Sequence, residues 1–349
     1  MLLYLHIPFC DSKCYYCSFN SYTTKHSFID KYMKTICKQF EYESKDLKKS
    51  QIKTLYIGGG TPSCVSAEKY EVFFEKAAFY LKDDAEITIE ANPNSASKEW
   101  LQKMREYGVN RISIGVQSFF EDKLKLLGRN HTPKRAKEAV LEAKKAGFEH
   151  ISIDLIYSTS LDDKKRLQKE LQEAFSLPVD HISAYSLTIE ENTPFAKRDD
   201  VQKDDENLAL FFAQEIKKRG FFHYEISNFG RCKSKHNLGY WSYEDYIGIG
   251  AGAVGCKERV RYYPPSDIQT YIDNPLSYKT ERLLDKDIKL EKIFLGFRCE
   301  LGVDKDIFDE KEMIRIKELV KEKKLTLKGK KVYNKDFFLT DELVMYIGV

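Results

Sequence analysis

At 349 residues the chain can bury a substantial core, and 42% hydrophobic with 32% charged residues is the balance of a soluble globular protein. A formal net charge of +3 is too small, over that length, to argue for a nucleic-acid partner. No run approaches the ~18 apolar residues that span a bilayer, and the start lacks a basic region and reaches His6 too soon for a signal peptide. The expected location is therefore the cytoplasm, where eight cysteines point to metal or catalysis before disulfides.

Taken in chain order, short runs rich in Ile, Val or Tyr alternate with amphipathic stretches. Strands are predicted at 2–7, 54–57, 86–90, 111–116, 150–156 and 181–187. Helices are predicted between them at 27–44, 66–81, 97–107, 133–146 and 162–176, opening at Ser27, Ser66, Ser97, Thr132 and Asp162. Gly108 and Gly147 sit where helix C-terminal glycines belong. This rhythm implies parallel strands with right-handed crossovers, and six units make an open or partial barrel of the α/β class. Chemistry in such folds collects at the C-terminal strand ends. Beyond residue 190 the rhythm loosens into a helix at 204–219, a strand-like run at 221–226 and an aromatic, glycine-rich stretch at 236–256. The expected organisation is a barrel core over 1–190, an extension over 191–284 and a small α+β domain over 285–349. That last domain is expected to start with a helix, with a second near 310–323 and strand-like pieces around 325–327 and 331–333.

Cys10-Asp-Ser-Lys-Cys14-Tyr-Tyr-Cys17 places three thiols on one loop. Three cysteines can ligate three irons of a 4Fe–4S cube and leave the fourth open. The amino and carboxylate groups of S-adenosylmethionine (SAM) can chelate that iron, and one electron from the cluster can then release a 5′-deoxyadenosyl radical. The rival is a structural zinc site with His6 as fourth ligand, although no second Cys/His pair follows. Cys37, Cys64, Cys232, Cys256 and Cys299 are scattered and read as buried or idle thiols.

Other candidates follow strand ends. Gly58-Gly-Gly60-Thr61-Pro62 lets backbone approach a ligand, and its proline fits an amino-acid portion better than a phosphate. Glu90, Gln117, Arg129 and Asp154 can hold ribose hydroxyls, an amino group or a carboxylate. Gly250-Ala-Gly-Ala-Val-Gly255 has the letters of a dinucleotide fingerprint but the wrong sequel, and is rejected. In His236-Asn237-Leu-Gly-Tyr240-Trp241 a histidine beside aromatics can ligate heme iron. A packed aromatic turn is the plainer reading of that stretch.

The cysteine triad, Tyr4-Leu-His-Ile-Pro-Phe, the 58–62 loop, Ile114-Gly-Val-Gln117-Ser, Ile153-Asp-Leu-Ile-Tyr157 and Tyr224-Glu-Ile-Ser-Asn228 together resemble one family. It is the radical SAM family of the oxygen-independent coproporphyrinogen III oxidases and their relatives, and the resemblance runs from Tyr4 to about residue 305. Within it the chain is more similar to the heme chaperones. Only nine residues precede Cys10, where oxidases carry a long extension, and Phe19 stands where they have a fourth cysteine. The resemblance implies a partial (βα)6 barrel with a small C-terminal domain and a cluster on Cys10, Cys14 and Cys17. It also implies a SAM site of Tyr4, Gly60, Thr61, Glu90, Gln117, Arg129 and Asp154, and a heme ligand in His236 with Asn237, Tyr240 and Trp241 around it.

The implied function is uptake of heme and delivery to acceptor hemoproteins, respiratory ones first. A homodimer and peripheral membrane contact are compatible with that role. The alternative is an oxidase that decarboxylates two propionates of coproporphyrinogen III, and a zinc-stabilised structural protein is the third reading. Two departures stand out. Ser158-Thr-Ser160 replaces the usual Gly-Leu-Pro after Tyr157, and Val254 occupies a position where relatives often have histidine.

Overall fold

The computed structural model describes residues 1–203 and 205–348. Its frame is set by alternation along β1 (Leu2–Ile7), β2 (Ile52–Gly59), β3 (Leu81–Ala91), β4 (Arg111–Gln117), β5 (His150–Tyr157) and β6 (His181–Ser186). Successive side chains of a strand face opposite ways. One set, including Leu3, Leu5, Leu55, Ile57, Ile89, Ile112, Ile114 and Ile153, is buried in the main core with Ile36, Phe40, Leu101, Val140 and Leu167 of the surrounding helices. The other set is polar and bonds across strands: Tyr56 to Glu90, Ser113 to Asp154 and Ser152 to His181. Apolar outside and polar inside, the sheet curls around a lumen.

The six strands pair in sequence order and in parallel. They are linked by α1 (Ile29–Ser44), α2 (Glu71–Ala78), α3 (Lys98–Glu106), α4 (Glu121–Leu126), α5 (Pro133–Lys145) and α6 (Lys164–Phe175). Ser97 and Thr132 cap α3 and α5, accepting from Trp100 N and Arg135 N. Gly108 and Gly147 follow these two helices with φ of 91° and 90°. Three predicted caps are corrected. Asp163, not Asp162, caps α6, while Ser27 and Ser66 lie at short 3-10 turns without capping them. The short α4 was not predicted, because six residues with two leucines carry no readable period.

Beyond the six units come α7 (Glu206–Lys218), β7 (Phe222–His223), β8 (Asn228–Gly230), α8 (Lys235–Trp241), β9 (Tyr246–Ile249), β10 (Gly255–Lys257), β11 (Val260–Tyr263), α9 (Ile268–Asp273) and β12 (Lys279–Arg282). β8 and β7 extend the sheet antiparallel from β6, β9 pairs parallel with β1, and β10 to β12 continue from β9. The sheet is therefore an open, twelve-stranded partial barrel with β12 and β7 at its edges. The predicted strand at 221–226 shrinks to two residues, and the aromatic turn at 236–241 is a helix. A strand, β10, and not a helix starts at Gly255, as the rejection of the dinucleotide motif requires.

α8 packs against the N-terminal end of the barrel. Its first amides, Lys235 N and His236 N, donate to Glu86 Oε2 and Oε1 at 3.0 and 2.9 Å. Gly239 brings it onto β1 so tightly that a Cβ there would lie 2.6 Å from Leu2 Cδ1.

The chain ends in α10 (Asp285–Phe297), β13 (Val303–Asp304), α11 (Glu310–Lys321), β14 (Leu325–Lys328), β15 (Lys331–Asn334) and α12 (Thr340–Ile347). A three-stranded sheet and a second hydrophobic cluster containing Ile293, Phe297, Ile316, Val332 and Val344 belong to this part. Among the described residues no helix is long and apolar enough to cross a membrane.

Candidate functional site: a cysteine loop over a polar lumen

The loop after β1 and the glycine loop after β2 are laced together at the C-terminal strand ends. Gly60 N donates to Ile7 O and Thr61 N to Phe9 O, both at 2.8 Å. A Cβ on Gly60 would lie 2.8 Å from Phe9 O and 3.1 Å from Cys10 Sγ, so only glycine permits this approach. Thr61 Oγ1 then sits 3.3 Å from Cys10 Sγ, and Arg129 Nη1 donates to Cys14 Sγ at 3.3 Å. Burial pushes the Cys10 and Cys17 thiols up. Bare, they stay protonated, and a bound metal would displace those protons.

These loops roof a cavity of about 380 Å³. Cys10, Cys14 and Cys17 line it from one side, and Gly60, Thr61, Glu90, Gln117, Arg129 and Asp154 from the strand ends. Glu90 Oε1 accepts from Tyr56 OH at 2.7 Å and Oε2 from Gly59 N at 3.1 Å, while burial lifts its carboxyl to about 7. Asp154 accepts from Ser113 Oγ at 3.0 Å and is likewise raised by burial. Arg129 Nη2 donates to Gly115 O at 2.7 Å, and Gln117 is held at φ 62°. Buried carboxyls at these strand ends can accept from hydroxyls or pair with an amino group, and the guanidinium can pair with a carboxylate.

The donor set fits a cluster better than a single ion. Among the described residues the three sulfurs do not all come within 4.8 Å of one another, so they do not gather around one zinc. Nor is His6 free to be a fourth ligand. Its Nε2 lies 2.9 Å from Asn20 O and its Nδ1 2.9 Å from Tyr4 OH. A carbonyl only accepts, so Nε2 carries the proton and Nδ1 takes the Tyr4 hydroxyl.

Tyr4 is the one predicted SAM residue outside the main cavity. It lines a second cavity of about 420 Å³ that shares Gly59, Glu90 and Phe19 with the first. A third, of about 220 Å³, shares Tyr4 and Tyr240 with the second and is completed by Tyr56, His236 and Asn237. The predicted heme motif thus splits, with His236, Asn237 and Tyr240 lining the lumen and Trp241 lining none of these cavities. His236 is only 1% exposed. Its Nδ1 is 2.8 Å from Thr54 Oγ1, its Nε2 has no hydrogen-bond partner, and burial pushes its pKa down to about 3. Tyr240 stands edge-on to the imidazole at 4.8 Å between centroids.

Tyr56 and Ser113, which orient the two carboxylates, were not singled out from sequence. Their signal was their place on the polar, period-two face of β2 and β4. A network behind the rim was missed as well. Lys123 Nζ bonds Asp162 Oδ1 at 2.9 Å and Glu170 Oε2 at 3.1 Å, all essentially without exposure. Glu170 also accepts from Ser118 Oγ and Phe119 N, and Asp162 from Thr159. The ion group therefore fixes the loops following Gln117 and Tyr157.

A partial parallel barrel with a three-cysteine loop at its mouth is the architecture of the radical SAM superfamily, whose family model matches residues 4–171. Such proteins carry a 4Fe–4S cluster and SAM. The fold is that of coproporphyrinogen III oxidase HemN from Escherichia coli, with a TM-score of 0.83 over 99% of this chain and 89% of that one, at 20% identity. Curated relatives are more similar in sequence. Heme chaperone HemW of Lactococcus lactis is 37% identical over 88% of this chain and 84% of its own length. HemW of Bacillus subtilis is 35% identical over 88% and 86%, and HemW of Escherichia coli 40% over 72% and 69%. The chain belongs to the HemW family.

Proposed function

We propose that the protein takes up heme and hands it to acceptor hemoproteins, respiratory ones first, in the reducing cytoplasm where its eight cysteines remain free. The observation that carries this reading is the bare Nε2 of His236. The tautomer with its proton on Nδ1 donates to Thr54 Oγ1 and leaves the Nε2 lone pair facing a tyrosine-walled cavity. That is the electronic form in which histidine ligates iron. A cavity of about 220 Å³ does not seat a whole porphyrin, so uptake requires α8 or its tyrosines to move aside. Reversible opening suits a carrier better than a permanent heme protein.

Bound at Cys10, Cys14 and Cys17, a 4Fe–4S cluster supplies one-electron chemistry to SAM. The residues of the rim bind and orient: Glu90 and Asp154 accept from hydroxyls or an amino group, Arg129 pairs with a carboxylate, and Gly60 supplies a close backbone surface. The oxidase alternative gains no support from the fold, since a likeness at 20% identity shares architecture alone.

The test is an anaerobic heme titration of cluster-reconstituted protein beside His236→Ala, followed by transfer to an apo-hemoprotein. Saturable binding with a shifted Soret band, altered in the variant, and delivery to the acceptor are expected. Absence of specific binding in the wild type would overturn the reading and leave anaerobic decarboxylation of coproporphyrinogen III as the next assay.

A further inference from the structure

A second group of metal-ligating side chains lies at the opposite end of the barrel from the cysteine loop. His150 opens β5, Asp180 immediately precedes β6, and Cys232 lies between β8 and α8. A ring nitrogen, a carboxylate oxygen and the sulfur of these three lie within 4.8 Å of one another, and no other such group of three occurs among the described residues. His150 Nδ1 is 2.7 Å from Asp180 Oδ2, and His150 Nε2 is 3.4 Å from Cys232 Sγ. An ionised carboxylate only accepts, so Nδ1 carries the proton and the Nε2 lone pair faces the sulfur.

That is how a carboxylate orients a histidine toward a metal. The separation is right as well. Metal–nitrogen bonds of ~2.0–2.1 Å and metal–sulfur bonds of ~2.3 Å at a tetrahedral angle put the two donor atoms roughly 3.5 Å apart. The partners are held in place before any ion arrives. Asp180 Oδ1 accepts from Ile151 N at 3.0 Å, Arg231 N donates to Asp180 O at 2.8 Å, and Arg111 Nη1 donates to Cys232 O at 3.5 Å. At 34% and 26% side-chain exposure, His150 and Asp180 leave room for water ligands. The bland reading is a hydrogen-bond relay, with the thiol donating to the imidazole and nothing bound.

We propose that His150 Nε2 and Cys232 Sγ bind a zinc-class divalent cation, with Asp180 orienting the histidine from Nδ1 and water completing the tetrahedron. The ion pins the 231–234 segment, from which α8 starts, to the feet of β5 and β6. It thereby fixes the helix that carries His236.

The test uses full-length protein with its cluster reconstituted, so that Cys10, Cys14 and Cys17 are already engaged. Cobalt(II) and zinc(II) are the probes. One added equivalent of cobalt should give a sulfur-to-cobalt charge-transfer band with tetrahedral ligand-field intensity, and zinc should displace it. Cys232→Ser should abolish the band, His150→Ala should abolish binding, and Asp180→Asn should weaken it about 10–100-fold. Cobalt binding without the sulfur band, or no binding to the wild type, overturns the proposal whether or not the variants fold. Undiminished binding in a folded Cys232→Ser variant does the same.

Discussion

Adding one methyl at Gly60 would set it against Phe9 O and Ile7 O, backbone atoms that accept from Thr61 N and Gly60 N and cannot swing aside as a side chain would. We expect Gly60→Ala to displace the cysteine loop and cut cluster loading severalfold while circular dichroism stays native. Iron and sulfide analysis after reconstitution checks this, and full loading would show that the loop yields. Ser158 presents the reverse case. Its φ of 62° is left-handed, and it stands where the family resemblance leads one to expect glycine. The left-handed region costs a residue with a Cβ roughly 1–2 kcal/mol, and glycine's extra chain entropy takes back part of the gain. Ser158→Gly should therefore stabilise by about 0.5–1 kcal/mol in denaturant unfolding.

The expectation for the cysteines could be formed from sequence because their ligand pattern is local. Tyr4, which the resemblance assigns to the SAM site, bonds His6 and lines the neighbouring cavity, which shares Gly59, Glu90 and Phe19 with the main one. Which wall of a lumen a side chain reaches depends on strand stagger, which is set only after the sheet has closed up.

The buried ion group ties three pieces of chain together: Lys123 on α4, Glu170 on α6 and Asp162 in the turn after β5. Removing the cation would leave two carboxylates without compensation in the interior. Lys123→Met should cost about 3–5 kcal/mol, read as a lowered urea midpoint, and a loss below 1 kcal/mol would mean that water enters and solvates the pair. This group also explains a misread helix boundary. Asp162 looks like a cap by residue type, but Thr159 N, Thr159 Oγ1 and Lys123 claim its oxygens, and Asp163 caps α6 instead. The six strands and five of their helices were visible because periods of 2 and 3.6 persist over several turns. α4 and α8, six and seven residues long, are too short for a period to show. Their helical state comes from what they pack on. The amides of α8 are taken by Glu86, which lies 150 residues away from His236.

Taken as a whole, the molecule buries many of its ionisable groups. Five of its seven histidines, His6, His131, His181, His223 and His236, are pushed down by burial, His131 and His223 to about 4 and His236 to about 3. The unfolded chain would protonate each near the ordinary value of about 6.5. It therefore binds more protons than the folded one below that pH. The stability these groups confer is complete above about 6.5 and is lost as pH falls toward 4. Glu90 and Glu225, raised by burial to about 7, and Asp154, raised by burial as well, work the other way, and three groups do not outweigh five. Thermal midpoints of the metal-free protein should fall steadily below about pH 6.5, and a flat profile down to pH 4.5 would contradict this. For the same reason heme affinity at His236 should not depend on imidazole protonation from about pH 5 upward, which titrations at several pH values can check.

An open barrel has two rims where a closed one has none, and each unpaired strand is an invitation to further pairing. Here both invitations are withdrawn. β12 is exposed along its whole length and carries Lys279, Glu281 and Arg282, a solvated row of charge that any added strand would have to strip of water. β7 is two residues long, and the ring of its His223 is closed over by Phe337 and Phe338 from the C-terminal part. Neither edge thus offers copies of this chain a strand on which to build a continuous ribbon.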